Sequence, residues 1–334
     1  MSSTTRTTEL VVVDWDDPDA ARLRTAQQAE LRARYGDDDI GHTMTGESIA
    51  AMVLLRVDGE PVACGAIRDA SDELGAGTGE LKRMFVLPER RGQGHSRTVL
   101  AELERIATGL GWQRLVLETG VLQPEAIGLY LRAGYRSIDN FGEYAEVMDS
   151  RCFEKSLAPQ AARVSRAETI DESRVTVEHV TWDDEDAAAL RRAMWAWNSV
   201  RYPAYVAEVE DGIGYDADDA QQGIGVVSTL VARVDGRPVG TAALRLARDG
   251  YPAGSGELKK LYVDDSARGA GAARALLDVI EQDARAQGMT SIVLQTGIRQ
   301  PEAVGLYLSL GYRPVVPFGP YGADFTSLCF GKQL

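Results

Sequence analysis

The chain is predicted to fold as two copies of one α/β domain, each built on an α+β mixed sheet. Three observations lead there: the length, an internal repeat, and helix and strand patterns that alternate within each copy. At 334 residues the chain suits two domains of roughly 150 residues. A composition of 44% hydrophobic and 26% charged residues supplies material for a core in each.

The repeat fixes the architecture. Gly79–Tyr135 aligns with Gly256–Tyr312 at a constant offset of 177, without a gap and with 27 of 57 positions identical. That period is far longer than a solenoid repeat and marks duplicated domains. Val57-Asp58-Gly59 answers Val234-Asp235-Gly236, and Cys152-Phe153 answers Cys329-Phe330. Near the start the offset is 167, pairing Trp15-Asp16-Asp17 with Trp182-Asp183-Asp184 and Tyr35 with Tyr202. The second copy therefore carries ten extra residues between Tyr202 and Val234. The domains are placed at 1–158 and 175–334, joined by an Ala-, Arg-, Ser- and Glu-rich linker at 159–174.

Within the first copy, Leu10–Asp14 reads as a strand, and Asp17-Pro18 caps a helix running through Leu31. Met52–Val57 and Pro61–Arg68 form a hairpin around Asp58-Gly59, a strong turn signal. Glu80–Leu87 is the next strand. Val99, Leu100, Leu103, Ile106, Ala107 and Leu110 make one apolar helical stripe, stopped by Gly111. Leu115–Thr119 is a buried strand, Pro124–Ala133 a helix closed by Gly134, and Tyr144–Leu157 supplies the last strand or strands.

Composition excludes several classes. A net charge of −14, acidic in both halves, repels phosphate backbones, so no nucleic-acid partner is expected. No apolar run approaches the roughly 18 residues of a membrane span, and Met1–Glu9 is polar, without a signal-peptide core. A soluble, cytoplasmic protein is the expectation. Three cysteines without a CxxC pair and three scattered histidines indicate neither a disulfide framework nor a metal.

Between the strand ending at Leu87 and the striped helix lies Arg91-Gly92-Gln93-Gly94-His95-Ser96, whose counterpart is Arg268-Gly269-Ala270-Gly271-Ala272-Ala273. A glycine turn opening a helix presents several backbone N–H groups at the positive end of the helix dipole, which suits a diphosphate. Glycines in this position also serve close helix–strand packing. The dinucleotide fingerprint does not fit, because its third glycine falls on Arg97.

With that loop following Glu80-Leu81-Lys82-Arg83-Met84-Phe85-Val86 and preceding Pro124-Glu125-Ala126-Ile127, Leu129-Tyr130 and Gly134-Tyr135, each copy resembles the GNAT superfamily of acetyl-CoA-dependent N-acetyltransferases. The resemblance covers nearly all of both copies. It implies that acetyl-CoA lays its diphosphate on the N–H groups of Gly92–Ser96 and of Gly269–Ala273. It implies that the pantetheine arm pairs with the edge of Met84-Phe85-Val86 or Leu261-Tyr262-Val263, where this strand splays from its parallel neighbour. It also implies an acyltransferase acting through a ternary complex, with no metal.

Amine acetylation needs a proton acceptor, a stabilised oxyanion and a proton donor for the thiolate. Glu80 and Glu257 begin the strand leading to the acetyl group and are the first candidates for the base; a salt-bridged carboxylate at a strand end is the plain alternative. Glu118 is a second candidate, but Gln295 replaces it in the other copy. Backbone N–H groups near Phe85 and Tyr262 would polarise the thioester carbonyl. The resemblance assigns thiolate protonation to Tyr130 and Tyr307; packing in the core is their plain reading.

The acceptor is read only as a small-molecule or peptide amine. Acidic clusters at Asp37-Asp38-Asp39 and at Asp216, Asp218 and Asp219 would favour a cationic one, and solvated loops are the alternative. Copy two has Trp195, Trp197, Tyr202 and Tyr205 where copy one has Tyr35, His42 and Met44, so two different pockets are expected. A monomer with pseudo-two-fold domains or a homodimer both suit the sequence. One active and one degenerate copy, or a binding module without catalysis, are the competing readings.

Overall fold

A computed structural model describes residues 7–36, 44–158 and 174–334. The chain divides into two compact units, Met1–Arg163 and Val164–Leu334. The expected linker, apart from Arg174, lies outside the described residues, as do Asp37-Asp38-Asp39 and His42.

The N-terminal unit runs β1 (Thr8–Val13), α1 (Pro18–Tyr35), β2 (Ile49–Val57), β3 (Glu60–Asp69), α2 (Ser71–Leu74), β4 (Thr78–Val86), α3 (His95–Gly109), β5 (Arg114–Gly120), α4 (Pro124–Arg132), β6 (Arg136–Ile138) and β7 (Ser150–Ser156). Its seven strands form one mixed sheet in the order β1-β2-β3-β4-β5-β7-β6, with β4 and β5 parallel. The C-terminal unit runs β8 (Val175–Val180), α5 (Glu185–Arg201), α6 (Pro203–Asp211), α7 (Tyr215–Gly223), β9 (Val226–Val234), β10 (Arg237–Leu246), β11 (Ser255–Val263), α8 (Ala272–Ala286), β12 (Ser291–Gly297), α9 (Pro301–Ser309), β13 (Arg313–Pro314) and β14 (Ser327–Gln333). Its sheet follows the same topology, β8-β9-β10-β11-β12-β14-β13. The extra residues of the second copy fall in the stretch that holds α6 and α7.

Local chemistry explains the elements. The Asp17 carboxylate accepts from the backbone N–H groups of Asp19 and Ala20, Pro18 opens α1, and Gly36 closes it at φ 78°, as an αL cap requires. The helix is thus four residues longer than its apolar pattern predicts, because the cap and not the pattern ends it. Asp58 and Gly59 both take positive φ, as do Asp235 and Gly236, which is the backbone of a tight hairpin turn. In α3, Val99, Leu100, Leu103 and Ala107 are buried, while Leu110 lies past the helix end and is 51% exposed.

Each sheet is covered on both faces. Ala20 and Leu23 of α1 pack on Met52, Leu54, Cys64, Ala66 and Phe85. On the opposite face α3 presses so closely that a Cβ on Gly65 would lie 2.8 Å from Leu103. In the second unit Ala187 and Leu190 of α5 cover Val231, and Leu276 of α8 would meet a Cβ on Gly240 at 3.3 Å.

Two features prepare the site. The parallel pairing of β4 with β5 stops at Glu80↔Val116, although β4 continues to Val86. Likewise β11 pairs with β12 only as far as Leu258↔Leu294 and continues to Val263. The strands therefore splay. Beyond that point β4 and β11 each hold a non-glycine residue at positive φ, Arg83 at 55° and Lys260 at 54°, beside a register shift against β3 and β10. These are bulges that re-aim the backbone at the splay.

Candidate active site

The slot of the C-terminal unit is a cavity of about 390 Å³. Leu261, Tyr262 and Val263 at the splayed end of β11 line it, together with Arg268, Gly269, Gly271, Ala272 and Ala273 of the glycine loop and Tyr307 of α9. Eight of the nine residues expected to hold a cofactor here thus surround one cavity; Ala270 does not line it. Gly269 and Gly271 take φ 83° and 86°, and Gly271 caps α8 in the αL conformation. A side chain there would be strained, so glycine sets how the first-turn N–H groups are presented. Gln300 also borders the cavity; its Oε1 accepts from Thr296 Oγ1 at 2.8 Å and its Nε2 donates to Asn198 Oδ1 at 3.1 Å.

The aromatic residues of α5 and α6 separate into different roles. Trp197 lines the slot beside the glycine loop. Trp195 packs against Tyr205 and Tyr215, and the Tyr202 hydroxyl accepts from Arg299 N–H at 2.9 Å. The acidic cluster of α7 is paired within the fold: Asp219 with Arg191 at 2.8 Å, and Asp216 with Arg192. Asp219 is held by a buried arginine, whereas the Asp216 pair lies at the surface.

In the N-terminal unit Gly92 and Gly94 take φ 76° and 87°, and Gly94 caps α3, so the loop Arg91–Ser96, with Gln93 and His95, repeats the same turn. Met84 and Tyr130 line a cavity of about 100 Å³ with Gln123, Glu118, Lys82 and Tyr144. A second cavity of about 380 Å³ lies among Met44, Ser48, Arg68, Glu73, Lys82 and the Phe141–Tyr144 turn. Met44, Lys82 and Tyr144 border both. Phe85 packs in the core against α1, so its backbone and not its ring is the part available to a ligand.

The expected bases are enclosed. Glu80 is 0% exposed; Arg68 Nε donates to it at 2.6 Å and Lys82 Nζ lies at 2.8 Å. Lys82 also donates to the Tyr144 hydroxyl at 2.6 Å. Glu257, equally buried, receives Arg245 Nε at 2.9 Å, the Tyr321 hydroxyl at 2.8 Å and the Tyr251 hydroxyl at 3.1 Å. Lys259 donates in turn to Tyr321 at 2.9 Å. Each carboxylate is thus enclosed in a buried cluster with an arginine, a lysine and a tyrosine. Burial lowers the Lys259 ammonium to about 8, with the Glu257 charge pulling the other way. Burial, followed by the charges of Glu80 and Glu257, raises the Tyr144 and Tyr321 phenols.

Tyr130 and Tyr307 are buried in both units, and burial raises their phenols above the ordinary tyrosine value, with the Glu118 charge adding to the effect on Tyr130. Glu118 accepts from Ser150 Oγ at 2.6 Å, and Gln295 donates to Ser327 Oγ at 2.6 Å, so one contact survives the exchange of charge. All three cysteines are buried and unbonded to one another; burial pushes the Cys64 and Cys152 thiols up to about 12, which leaves them poor nucleophiles. Among the described residues no group of His, Cys, Asp and Glu is placed to hold a metal, and no helix is long and apolar enough to cross a membrane.

A profile of the Acetyltransferase (GNAT) family matches residues 12–135 and 187–312. The chain belongs to this family twice over and is an acyltransferase of it. It is 42% identical over 105 residues to the IAA acetyltransferase of Azospirillum brasilense, covering 31% of this chain and 67% of that protein. It is 42% identical over 85 residues to N-acetyltransferase 8 of Mus musculus, covering 25% of this chain and only 37% of that protein. Among solved structures, the PaiA N-acetyltransferase of Thermoplasma acidophilum, in complex with coenzyme A, is 15% identical with a TM-score of 0.36, covering 48% of this chain and 99% of that one.

Proposed function

We propose that the protein transfers the acetyl group of acetyl-CoA to an amine by direct attack within a ternary complex. The observation that carries this reading is the 390 Å³ cavity in which the glycine loop, the splayed end of β11 and Tyr307 meet. Its donor set fits acetyl-CoA: helix-terminal N–H groups and Arg268 for the diphosphate, a strand edge for the amides of pantetheine, and a phenol at the thiol end. Acetyl-CoA supplies an activated acyl thioester when bound.

The residues of the chain then divide the work. Gly269–Ala273 and Arg268 hold the diphosphate; Arg91 and Gly92–Ser96 form the matching turn of the first copy. Backbone N–H groups of the bulge, near Tyr262 or Phe85, polarise the acyl oxygen. The buried cluster takes the acceptor's proton: Lys259, its ammonium lowered to about 8 by burial, receives it when neutral, with Tyr321 and Glu257 behind; Lys82, Tyr144 and Glu80 are the corresponding residues of the first copy. The roles of Glu257 and Glu80 are thereby indirect. Tyr307, or Tyr130, gives a proton to the leaving thiolate. Burial makes these phenols weaker acids than a tyrosine in water, so the proton moves only as negative charge develops on sulfur. The named N-acetyltransferase relatives support an amine as the acceptor.

The test is release of CoA thiol from acetyl-CoA across a panel of amines, in wild type and in Tyr307→Phe and Tyr130→Phe. Amine-dependent turnover lowered by either substitution supports the reading. Binding of acetyl-CoA with no amine-dependent turnover would convert it to that of a binding module.

A further inference from the structure

We infer that acetyl-CoA is taken by the C-terminal domain, and that the N-terminal slot is closed to it by its own side chains. The inference rests on the acetyl-CoA reading above and chooses between the two domains.

A pantetheine arm needs the outward backbone groups of β4 or β11. The Leu87 N–H donates to Val62 O on the β3 side at 3.0 Å. Strand alternation therefore turns the carbonyls of Val86 and Met84 the other way, toward the splay left by β5. In the second domain Asp264 N–H donates to Val239 O at 2.8 Å, and Val263 and Leu261 turn toward the splay in the same manner.

In the N-terminal domain both outward carbonyls already have donors. Gln27 Nε2, from α1, donates to Met84 O at 3.0 Å. Arg91 Nε donates to Val86 O at 3.1 Å. The same Arg91, the cation expected at the diphosphate, is held at its other end by Glu30 at 2.5 Å. Glu30 is itself fixed by Arg34 at 2.7 Å. Helix α1 thus fastens the strand edge and the loop arginine together across the mouth of the slot.

The C-terminal domain carries the same backbone with this fastening removed. At the 167 offset Gln27 becomes Met194, whose side chain has no N–H to give, and Glu30 becomes Trp197, which has no carboxylate. Both residues line the 390 Å³ cavity instead. Arg268 lies 5.4 Å over the Trp197 ring. Its carboxylate partner, Asp265, sits on the same turn at 67% exposure, where an ion pair is weak and readily exchanged for a phosphate. Arg201 stacks on Trp197 at 3.4 Å.

Each internal hydrogen bond that a ligand must replace weakens binding by about fivefold. Two such bonds place the N-terminal slot about 25-fold below the C-terminal one, and the Arg91–Glu30 pair, exposed at its arginine, adds only modestly to that.

Isothermal titration of acetyl-CoA into the full chain tests this. One site per chain is expected, weakened at least about tenfold by Arg268→Glu or Trp197→Glu, with circular dichroism confirming that each variant is folded. The Gln27→Met/Glu30→Trp double variant is expected to gain a second site. Two wild-type sites within about tenfold of each other, or one site untouched by both C-terminal variants, would overturn the inference while leaving the acetyl-CoA reading intact. No binding at all would overturn that reading itself.

Discussion

The hydroxyl of Tyr202 stands where a side chain on Gly297 would have to be: a Cβ built there lies 2.0 Å from that oxygen. Tyr35 and Gly120 repeat the relationship at the same 2.0 Å, and each hydroxyl accepts from the turn beyond its glycine, at Leu122 or Arg299. The end of the first helix in each domain is thereby pinned to the turn that launches the tyrosine-bearing helix, α4 or α9. Gly297→Ala is expected to destabilise the protein by about 1–3 kcal/mol. Gly305→Ala, on the exposed face of α9 with nothing within 4 Å of its Cβ, is expected to be neutral or stabilising by up to about 1 kcal/mol. Thermal unfolding of the two variants side by side checks both.

Tyr307→Phe is expected to lower kcat by about tenfold to 100-fold with little change in KM, since a proton donor acts in the transition state. Tyr130→Phe should leave turnover nearly unchanged if chemistry belongs to the C-terminal slot. Steady-state kinetics of the two single variants against acetyl-CoA decides this, and equal losses would place chemistry in both domains.

Glu257→Gln keeps the shape of the cluster and removes its only carboxylate, leaving Arg245 at 3% side-chain exposure without its counter-charge. Breaking a buried pair from one side costs about 3–5 kcal/mol. A lowered denaturant midpoint for the C-terminal transition is the expected result, with loss of activity alongside.

The pH dependence follows from Lys259. Its folded-state value of about 8 lies below the unfolded value of 10.5, so between these limits the unfolded chain binds one proton more. Stability therefore rises with pH through that window, because the cost of a buried ammonium is relieved. Facing Lys259 are Glu257 on its own strand, Arg245 from β10, Tyr321 and the neighbouring Lys260. Lys259→Met should abolish this contribution. Chemical denaturation of wild type and variant at pH 7.0 and 9.5 measures it, and a variant with the wild-type pH slope would refute it.

Much of this was legible in the sequence. The 177 offset located both glycine loops and both tyrosines, because backbone positions that require positive φ and a repeated site cannot drift freely. The bulges at Arg83 and Lys260 left no such mark: neither residue favours positive φ, and only the register against the neighbouring strand imposes it. The partners of the two glutamates were missed for a similar reason. Arg68 faces Glu80 across the β3–β4 pairing, a relationship that needs the strand register, although the recurrence of Arg68 as Arg245 at the same offset was a usable signal. Trp197 could not be assigned a side from its type alone; the phase of α5, which sets Met194, Trp197 and Asn198 on one face, decides it.

The duplication described above also fixes a ratio. Two slots built on one polypeptide are always made in equal number, and dilution that would part a dimer leaves their stoichiometry unchanged. Any divergence between them is therefore a division of labour inherited by every molecule, and cannot be adjusted by changing the supply of one half.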